Sequence, residues 1–353
     1  MSMNSATTPR FAFIRALVFR SIIEHFDYDL SRIRTIIRQN GVSFTVLDEP
    51  YAPIPLHSYL HILDQAATLS GDPLFGARLG FSSRPGNIAP VGLLAIQLSS
   101  IERGLEAMVR YSTALQSGTR MKLELDEDHL ILSYLITEPA NAPLRQDAEF
   151  SLASTCNLIR GAFDARWRPL EIHFCHAAPS PAIKIALRKL FGGPVLFSQP
   201  ENRIVMALED AQRPHRSEDR DMIAMTERHL MDLIQRTQRT ASISEQVEAL
   251  VGMYLGSLEV KLETIAAALQ MSARSLQRKL SEEGQSLSGI VQRHRQAKAE
   301  TMLAEGGMTV EKIAAALGYA DGTAFWRAYR SWTGHSPSRR TRQRTSLHHL
   351  DKA

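Results

Sequence analysis

The sequence predicts an α+β amino-terminal domain, made of helices plus a small antiparallel sheet, followed by an all-α domain with two helix-turn-helix units. Three observations carry this prediction. Helical spacing of apolar residues runs through the first hundred or so positions, and strand-like runs take over between about 121 and 206. Beyond them Glu263-Thr-Ile-Ala-Ala-Ala-Leu269 returns 48 residues later as Glu311-Lys-Ile-Ala-Ala-Ala-Leu317.

A chain of 353 residues is long enough for two or three domains, each with its own core. Hydrophobic residues make up 44% and charged residues 22%, which excludes disordered and fibrous classes. The formal net charge is only +4, but it is unevenly spread. From Thr240 onward there are 15 Lys and Arg against 11 Asp and Glu, whereas the first 239 residues balance at 26 of each. A polyanion should therefore dock on the segment that carries the repeat. Two cysteines, Cys156 and Cys175, are too few for a disulfide scaffold or a four-thiolate zinc site. With no signal-peptide pattern and no apolar run of about 20 residues, a cytoplasmic protein without a membrane span is expected.

In chain order, Leu17, Ile22, Ile23 and Phe26 roughly keep helix spacing, and Leu56, Leu60, Leu63 and Ala67 keep it closely. Gly71-Asp-Pro73 and Arg84-Pro-Gly86 read as turns, and 92–98 and 101–115 as two further helices. Residues 121–125 and 129–135 read as strands around the acidic turn Asp126-Glu-Asp128. A helix over 147–163, a strand over 170–176, a helix over 181–191 and short strands at 195–197 and 203–206 complete an expected antiparallel sheet covered by helices. The expected boundaries are 1–210 for the first domain, 211–239 for a linker with an amphipathic helix, 240–342 for the helical domain, and 343–353 for a basic tail. Met222, Met225, Leu230, Leu233 and Ile234 form the apolar stripe of the linker helix, a candidate relay or dimer contact or a stripe packed on its own domain.

Each copy of the repeat is followed by a capping residue and a second short helix. Ser272 precedes 273–282, whose Leu276 and Leu280 face inward, so that Arg274, Gln277 and Arg278 share the opposite face. Asp321 precedes the second, where Phe325 and Tyr329 face inward and Thr323, Trp326 and Arg327 occupy the matching outer positions. A single exposed arginine is usually only solvated. Two such triplets on tandem helix-turn-helix units point to base reading in double-stranded DNA, since Arg can pair with guanine and Gln with adenine in the major groove. An exposed Trp326 has no structural purpose there and is expected against a thymine methyl or a sugar. Ser286 or Ser288 should cap a connecting helix to about Ala304, placing the two readers about one DNA turn (~34 Å) apart. Lys279, Arg293, Arg295, Lys298, Arg330, Arg339 and Arg340 are expected at phosphates, although a frayed, solvated terminus explains the arginines past the motif equally well.

These residues bring a known family into view. The segment from about 240 to 342 resembles the DNA-binding domain of AraC/XylS-type transcription regulators. The match is carried by Ile313-Ala314, Gly318-Tyr319, Asp321, Phe325, Arg327, Tyr329-Arg330, Gly334, and Ser336-Pro337 followed by Arg340. The resemblance implies a seven-helix domain whose third and sixth helices read DNA. Gly322 departs from the pattern, since many members carry a side chain there that reaches a base. The amino-terminal order of elements does not suit the sugar-binding β-barrel of the family's namesake. It resembles the helix-first sensor domain of the arabinose-binding-domain-like branch, through Pro55-Leu56 with Leu60, Gly71-Asp-Pro73, Gly76 with Leu79-Gly80, Gly92 with Leu94, and Arg110-Tyr111. That implies a small-molecule sensor, often for an amino acid or related metabolite, and leaves a homodimer open. The expected function is a ligand-responsive transcription factor, an activator, with double-stranded DNA, RNA polymerase and a small-molecule effector as partners; a regulator that binds DNA without a ligand is a further reading.

The alternative is a haem- or metal-binding sensor, or an enzyme, fused to a DNA-binding module. His57, His61, His173 and His176 are the candidate ligands, but none has distinguishing context. In a strand His173 and Cys175 share a side that His176 does not, and two ligands are too few for structural zinc. The chain has no phosphate loop, nucleophile elbow or His-Glu-x-x-His. Cys156, among apolar helix positions, should be a buried and inert thiol rather than a nucleophile. No cofactor, no metal and no catalysis are expected, and the pocket-lining residues are left unknown.

Overall fold

The computed structural model describes residues 12–137, 144–238, 242–255, 260–269, 271–305 and 308–333. These form two compact units, one of residues 12–40 and 47–238, the other of residues 242–333 together with 41–46.

The first unit opens with β1 (Phe13–Arg15), α1 (Phe19–His25), α2 (Leu30–Gln39) and β2 (Pro53–Pro55). It continues through α3 (Leu56–Ser70), α4 (Phe75–Ser82), α5 (Val91–Ala95) and α6 (Ile101–Leu115). β1 and β2 pair antiparallel, Phe13 opposite Pro55, a contact across some forty residues that three-residue runs cannot announce in sequence. At the turn after α3, Gly71 takes φ +66 and Asp72 Oδ1 accepts from the Leu74 backbone N–H at 2.9 Å, as the Gly-Asp-Pro reading requires.

A five-stranded sheet follows, built from β3 (Thr119–Asp126), β4 (His129–Ile136), β5 (Glu171–His173), β6 (Val195–Leu196) and β7 (Asn202–Ala207) in the order β3-β4-β7-β5-β6. The β3–β4 hairpin turns at Glu127 and Asp128, as the acidic turn predicts, with Asp126 opposite His129. The expectation of a purely antiparallel sheet needs one correction: β6 runs parallel to β5. Helix α8 (Pro181–Phe191) lies between these two strands, and a helical crossover returns the chain in the same direction. Helix α7 (Arg145–Ala162) packs on α3, α4 and β7.

The close pairing of α4 with α7 explains the glycines at 76 and 80. A Cβ on Gly80 would stand 2.5 Å from the Phe150 carbonyl oxygen, and one on Gly76 would strike the Gln146 carbonyl. In their absence the helices meet backbone to backbone, and the Gly76 N–H donates to Gln146 Oε1 at 2.8 Å.

The polar stretch after α9 (Leu208–Gln212) is not a loose linker. The His215 N–H donates to the Ser99 carbonyl at 2.7 Å, and Arg216 donates to the carbonyls of Ile96 and Ala162. Glu218 accepts from the Ser99 N–H and pairs with Arg103 at 2.9 Å. Helix α10 (Arg220–Gln238) then lies on α5 and α6 of the same unit, burying Leu230, Leu233 and Ile234. Tyr111 Oη donates to Glu227 at 3.1 Å on that contact. Three of the five expected stripe residues are therefore committed to their own unit, while the other two, Met222 and Met225, stay exposed with Met231.

The second unit contains α11 (Ile243–Tyr254), α12 (Leu262–Ala268), α13 (Ala273–Glu282), α14 (Leu287–Glu305), α15 (Val310–Ala316) and α16 (Gly322–Thr333). Ser242 and Glu245 close a capping box on α11, its two bonds at 3.2 and 2.8 Å. Glu283, just past α13, accepts from the Ile243 and Ser244 N–H groups, both at 2.8 Å, and ties that helix end to the same cap. Ser286 caps α14 by accepting from the Gly289 N–H at 3.2 Å.

Candidate DNA interface and sensor cavity

The repeated phrase builds the same object twice. Ile265, Ala266 and Leu269 are buried in the first copy, and Ile313, Ala314 and Leu317 in the second. Each first helix ends with the same closure: the Met271 N–H donates to the Ala266 carbonyl and the Tyr319 N–H to the Ala314 carbonyl, both at 2.9 Å. In the second copy Gly318, at φ +72, supplies the left-handed residue such a closure needs. The following helices are capped alike. Ser272 Oγ accepts from the Ser275 N–H at 3.2 Å, and Asp321 Oδ1 from the Ala324 N–H at 2.7 Å. Among the described residues α13 and α16, the helices expected to read DNA, are the third and sixth of this unit.

Arg274, Gln277 and Arg278 lie together and exposed on α13, opposite buried Leu276 and Leu280. Arg278 makes a solvent-exposed pair with Glu282 at 2.8 Å, an interaction weak enough to exchange for a base edge. On α16, Thr323 and Arg327 are exposed opposite buried Phe325 and Tyr329. Trp326 departs from expectation: its side chain is half-buried, with the Arg330 guanidinium 5.5 Å from its ring centre. The indole is thus partly shielded by the cation expected at a phosphate. An ideal Cβ on Gly322 would find only ordinary contacts at 3.5 Å, so packing does not demand the missing side chain there.

The basic side chains assigned to phosphates fall into different settings. Lys279 is half-buried in the last turn of α13. Arg293 is engaged by Glu248 at 2.8 Å and Gln285 at 3.0 Å. Lys298 is half-buried beside Ser43 Oγ at 3.4 Å, and burial lowers its pKa. Arg295 turns inward. Its Nε donates to the Leu317 carbonyl at 3.0 Å, its Nη2 to the Gly318 carbonyl at 3.2 Å, and its guanidinium lies over the Tyr319 ring. It braces the turn of the second helix-turn-helix. Arg339 and Arg340 lie outside the described residues, as do Gly334, Ser336-Pro337 and the basic tail.

The first unit holds a cavity of about 90 Å³ between α6, α7 and the β3–β4 hairpin. Helix α7 presents Asp147, Phe150, Ser151, Ser154 and Thr155 to it, a single stripe at helical spacing. Helix α6 contributes Met108, Ser112 and Leu115. The Ser117 N–H donates to the Phe13 carbonyl at 2.9 Å beside an Ile14–Gln116 bridge, which brings Ile14 and Gln116 to the same wall. Within the cavity wall Tyr134 Oη donates to Asp147 Oδ2 at 2.7 Å and accepts from Gln116 Nε2 at 3.3 Å. Burial pushes the Asp147 carboxyl up to about 6 although the Tyr134 bond pulls it down.

The sequence pattern showed the helix that carries Asp147 but not its burial. An acid in a first helical turn ordinarily faces water and complements the helix dipole. The signal that could have exposed it was the uncharged continuation of its own stripe, through Phe150 and Ser154 to Leu158.

Residues 32–215 match the family model described as the arabinose-binding domain of AraC transcription regulators, amino-terminal part, and residues 265–343 match a helix-turn-helix domain. The chain belongs to the AraC family of transcription regulators. The regulator VirS of Mycobacterium tuberculosis is 28% identical over 284 residues, 80% of this chain and 82% of that protein. The ornithine utilization regulator of Pseudomonas aeruginosa is 24% identical over 312 residues, 88% of this chain and 91% of that one. The solved structure of the transcriptional regulator CdpR from Pseudomonas aeruginosa covers 79% of this chain and 90% of its own, with TM-score 0.40 and 17% identity.

Membership of the AraC family makes this chain a DNA-binding transcription regulator, and its relatives and domains are those of regulators rather than enzymes. The side chains weighed for metal or nucleophilic chemistry have structural settings. His173 Nε2 pairs with Glu171 at 2.8 Å, and His176 stacks on Phe174 beside Glu149. Among the described residues no group of three or more His, Cys, Asp or Glu could hold a metal ion. Cys156 is 0% exposed, and burial pushes its thiol up to about 12, as expected of an inert thiol. No helix among the described residues is long and apolar enough to cross a membrane.

Proposed function

We propose that this AraC-family protein is an activator controlled by a small metabolite. The effector occupies the cavity lined by Asp147, Tyr134 and Gln116, and α13 and α16 read adjacent operator segments in double-stranded DNA. The observation that carries this reading is a largely apolar cavity with a few convergent polar groups in one unit, together with two matching triplets on the second helices of the repeated motif in the other. Arg274, Gln277 and Arg278 read one segment, and Thr323, Trp326 and Arg327 the next. The triplets differ while the scaffold repeats, so the two segments should have unlike sequences.

Effector binding must bias the DNA-competent state for coupling to exist. RNA polymerase is the partner through which an activator acts. Exposed Met222 and Met225, neighbours on one side of α10, provide a face for a homodimer. One relative is named for ornithine utilization, which makes amino acids and their derivatives the first metabolites to try.

Mapping bound sites in the genome, followed by transcription from those promoters with candidate metabolites from the neighbouring pathways, tests the reading. Sites upstream of genes whose transcription rises with protein and metabolite together are expected. Binding without positional preference, or transcription that ignores every metabolite while the protein is bound, would overturn it.

A further inference from the structure

The cavity holds one acid and no base. Asp147 is 2% exposed and faces it from the first turn of α7. None of the lining residues is Lys, Arg or His. The other titratable groups in the wall are Tyr59 and Tyr134, and burial raises both phenols further above their ordinary value, so both stay neutral. On another face of α7, Arg145 donates to Glu149 at 2.8 Å, and His176, 3.6 Å from the same oxygen, has its pKa lowered by burial, which favours the neutral imidazole.

A carboxylate withdrawn from water must either keep its proton or find a cation, because an isolated buried charge loses its hydration with nothing in exchange. Tyr134 supplies one hydrogen bond, which orients the carboxylate without neutralising it. An anionic ligand would meet only repulsion here. A neutral one would leave the carboxylate without a counter-charge. Ser112, Ser151 and Thr155 offer hydroxyls in the same wall, and Met108 and Leu132 offer apolar surface. Resting on the reading of this cavity as the effector site, we infer that the effector carries a compact cationic head, an ammonium or amidinium, on a short apolar body, with the head paired to Asp147.

The full chain can be titrated with n-pentylamine, pentan-1-ol and pentanoate, following heat of binding and melting temperature at pH 7.5. The amine should bind at least about ten-fold more tightly than the alcohol, as expected of a charge pair formed away from water, and pentanoate should not bind. Asp147→Asn should remove the amine's advantage and leave the alcohol within about two-fold. The wild-type protein gives a test that needs no variant. Between pH 7.5 and pH 5 the amine stays charged while the carboxyl gains its proton, so amine affinity should fall about ten-fold and that of the alcohol should not change. Equal binding of alcohol and amine, or an amine affinity flat across that pH range, would overturn the cationic class while leaving the cavity a ligand site. Failure of all three compounds to bind would overturn both.

Discussion

The guanidinium carbon of Arg295 stands 4.4 Å from the centre of the Tyr319 ring, and the same side chain donates to the carbonyls of Leu317 and Gly318. One residue of the connecting helix thus holds the turn between α15 and α16. Arg295→Ala should cost about 1–3 kcal/mol of stability, because two turn carbonyls lose their donor and a stacked cation is lost. A phosphate contact would behave differently, lowering the salt dependence of DNA binding by about one charge. Melting curves and salt titrations on one operator separate the roles: lower melting with an unchanged salt slope is expected.

Base reading is tested on α13 and α16. Arg278→Ala and Arg327→Ala should each weaken binding to a specific operator by about 1–3 kcal/mol, with little loss on random DNA. Arg278 must give up its exposed pair with Glu282, which costs little. Wild-type operator affinity in both variants at matched salt would show that the reading faces are misassigned.

The α4–α7 contact should tolerate no added methyl group. Gly80→Ala would press a Cβ to 2.5 Å from the Phe150 carbonyl, so the helices must separate. A loss of about 1–3 kcal/mol is expected from such overpacking, read as a lower melting temperature. Gly322→Ala on α16 meets only ordinary contacts and serves as the control.

Two buried carboxyls make a contribution to the first unit that grows as pH falls. Burial raises the Asp147 carboxyl to about 6 and the Glu149 carboxyl to about 7, partly opposed by Tyr134 and Arg145 respectively. In both, the folded chain keeps a proton that the unfolded chain has lost. Their contribution is therefore full below about pH 4 and is lost as pH rises through 6 to 7. Glu201 goes the other way: its bond with Arg203 holds it below its ordinary value, so its contribution disappears only at lower pH. Burial lowers the pKa of His25, His57 and His176 in the same unit, which works the other way over this range, so the Asp147 share is read by difference. On going from pH 8 to pH 5 the melting temperature of Asp147→Asn should gain less, or lose more, than that of the wild type. An equal slope in the variant would remove Asp147 from the account.

Much of the second unit was legible along the chain because its determinants are local. Ser272 and Asp321 cap their own helices, Leu276, Leu280, Phe325 and Tyr329 show their inward faces by spacing, and the doubled Ile-Ala-Ala-Ala-Leu phrase declares two copies of one scaffold. The β3–β4 hairpin was readable for the same reason, from two apolar runs around an acidic turn.

Tertiary structure decided whatever depended on distant partners. Pairing of β1 with β2, the parallel entry of β6, and the strap from His215 to Glu218 all join segments whose sequences carry no mark of one another. Arg295 and Arg293 looked alike as cations on a helix, and only the neighbouring elements turn the first onto a turn and the second toward Glu248. Asp147 makes the point most sharply. Its place in a helix follows from a pattern a few residues long, but its burial in a cavity wall depends on α6, β4 and α7 meeting, so the cavity appears only when the chain is folded.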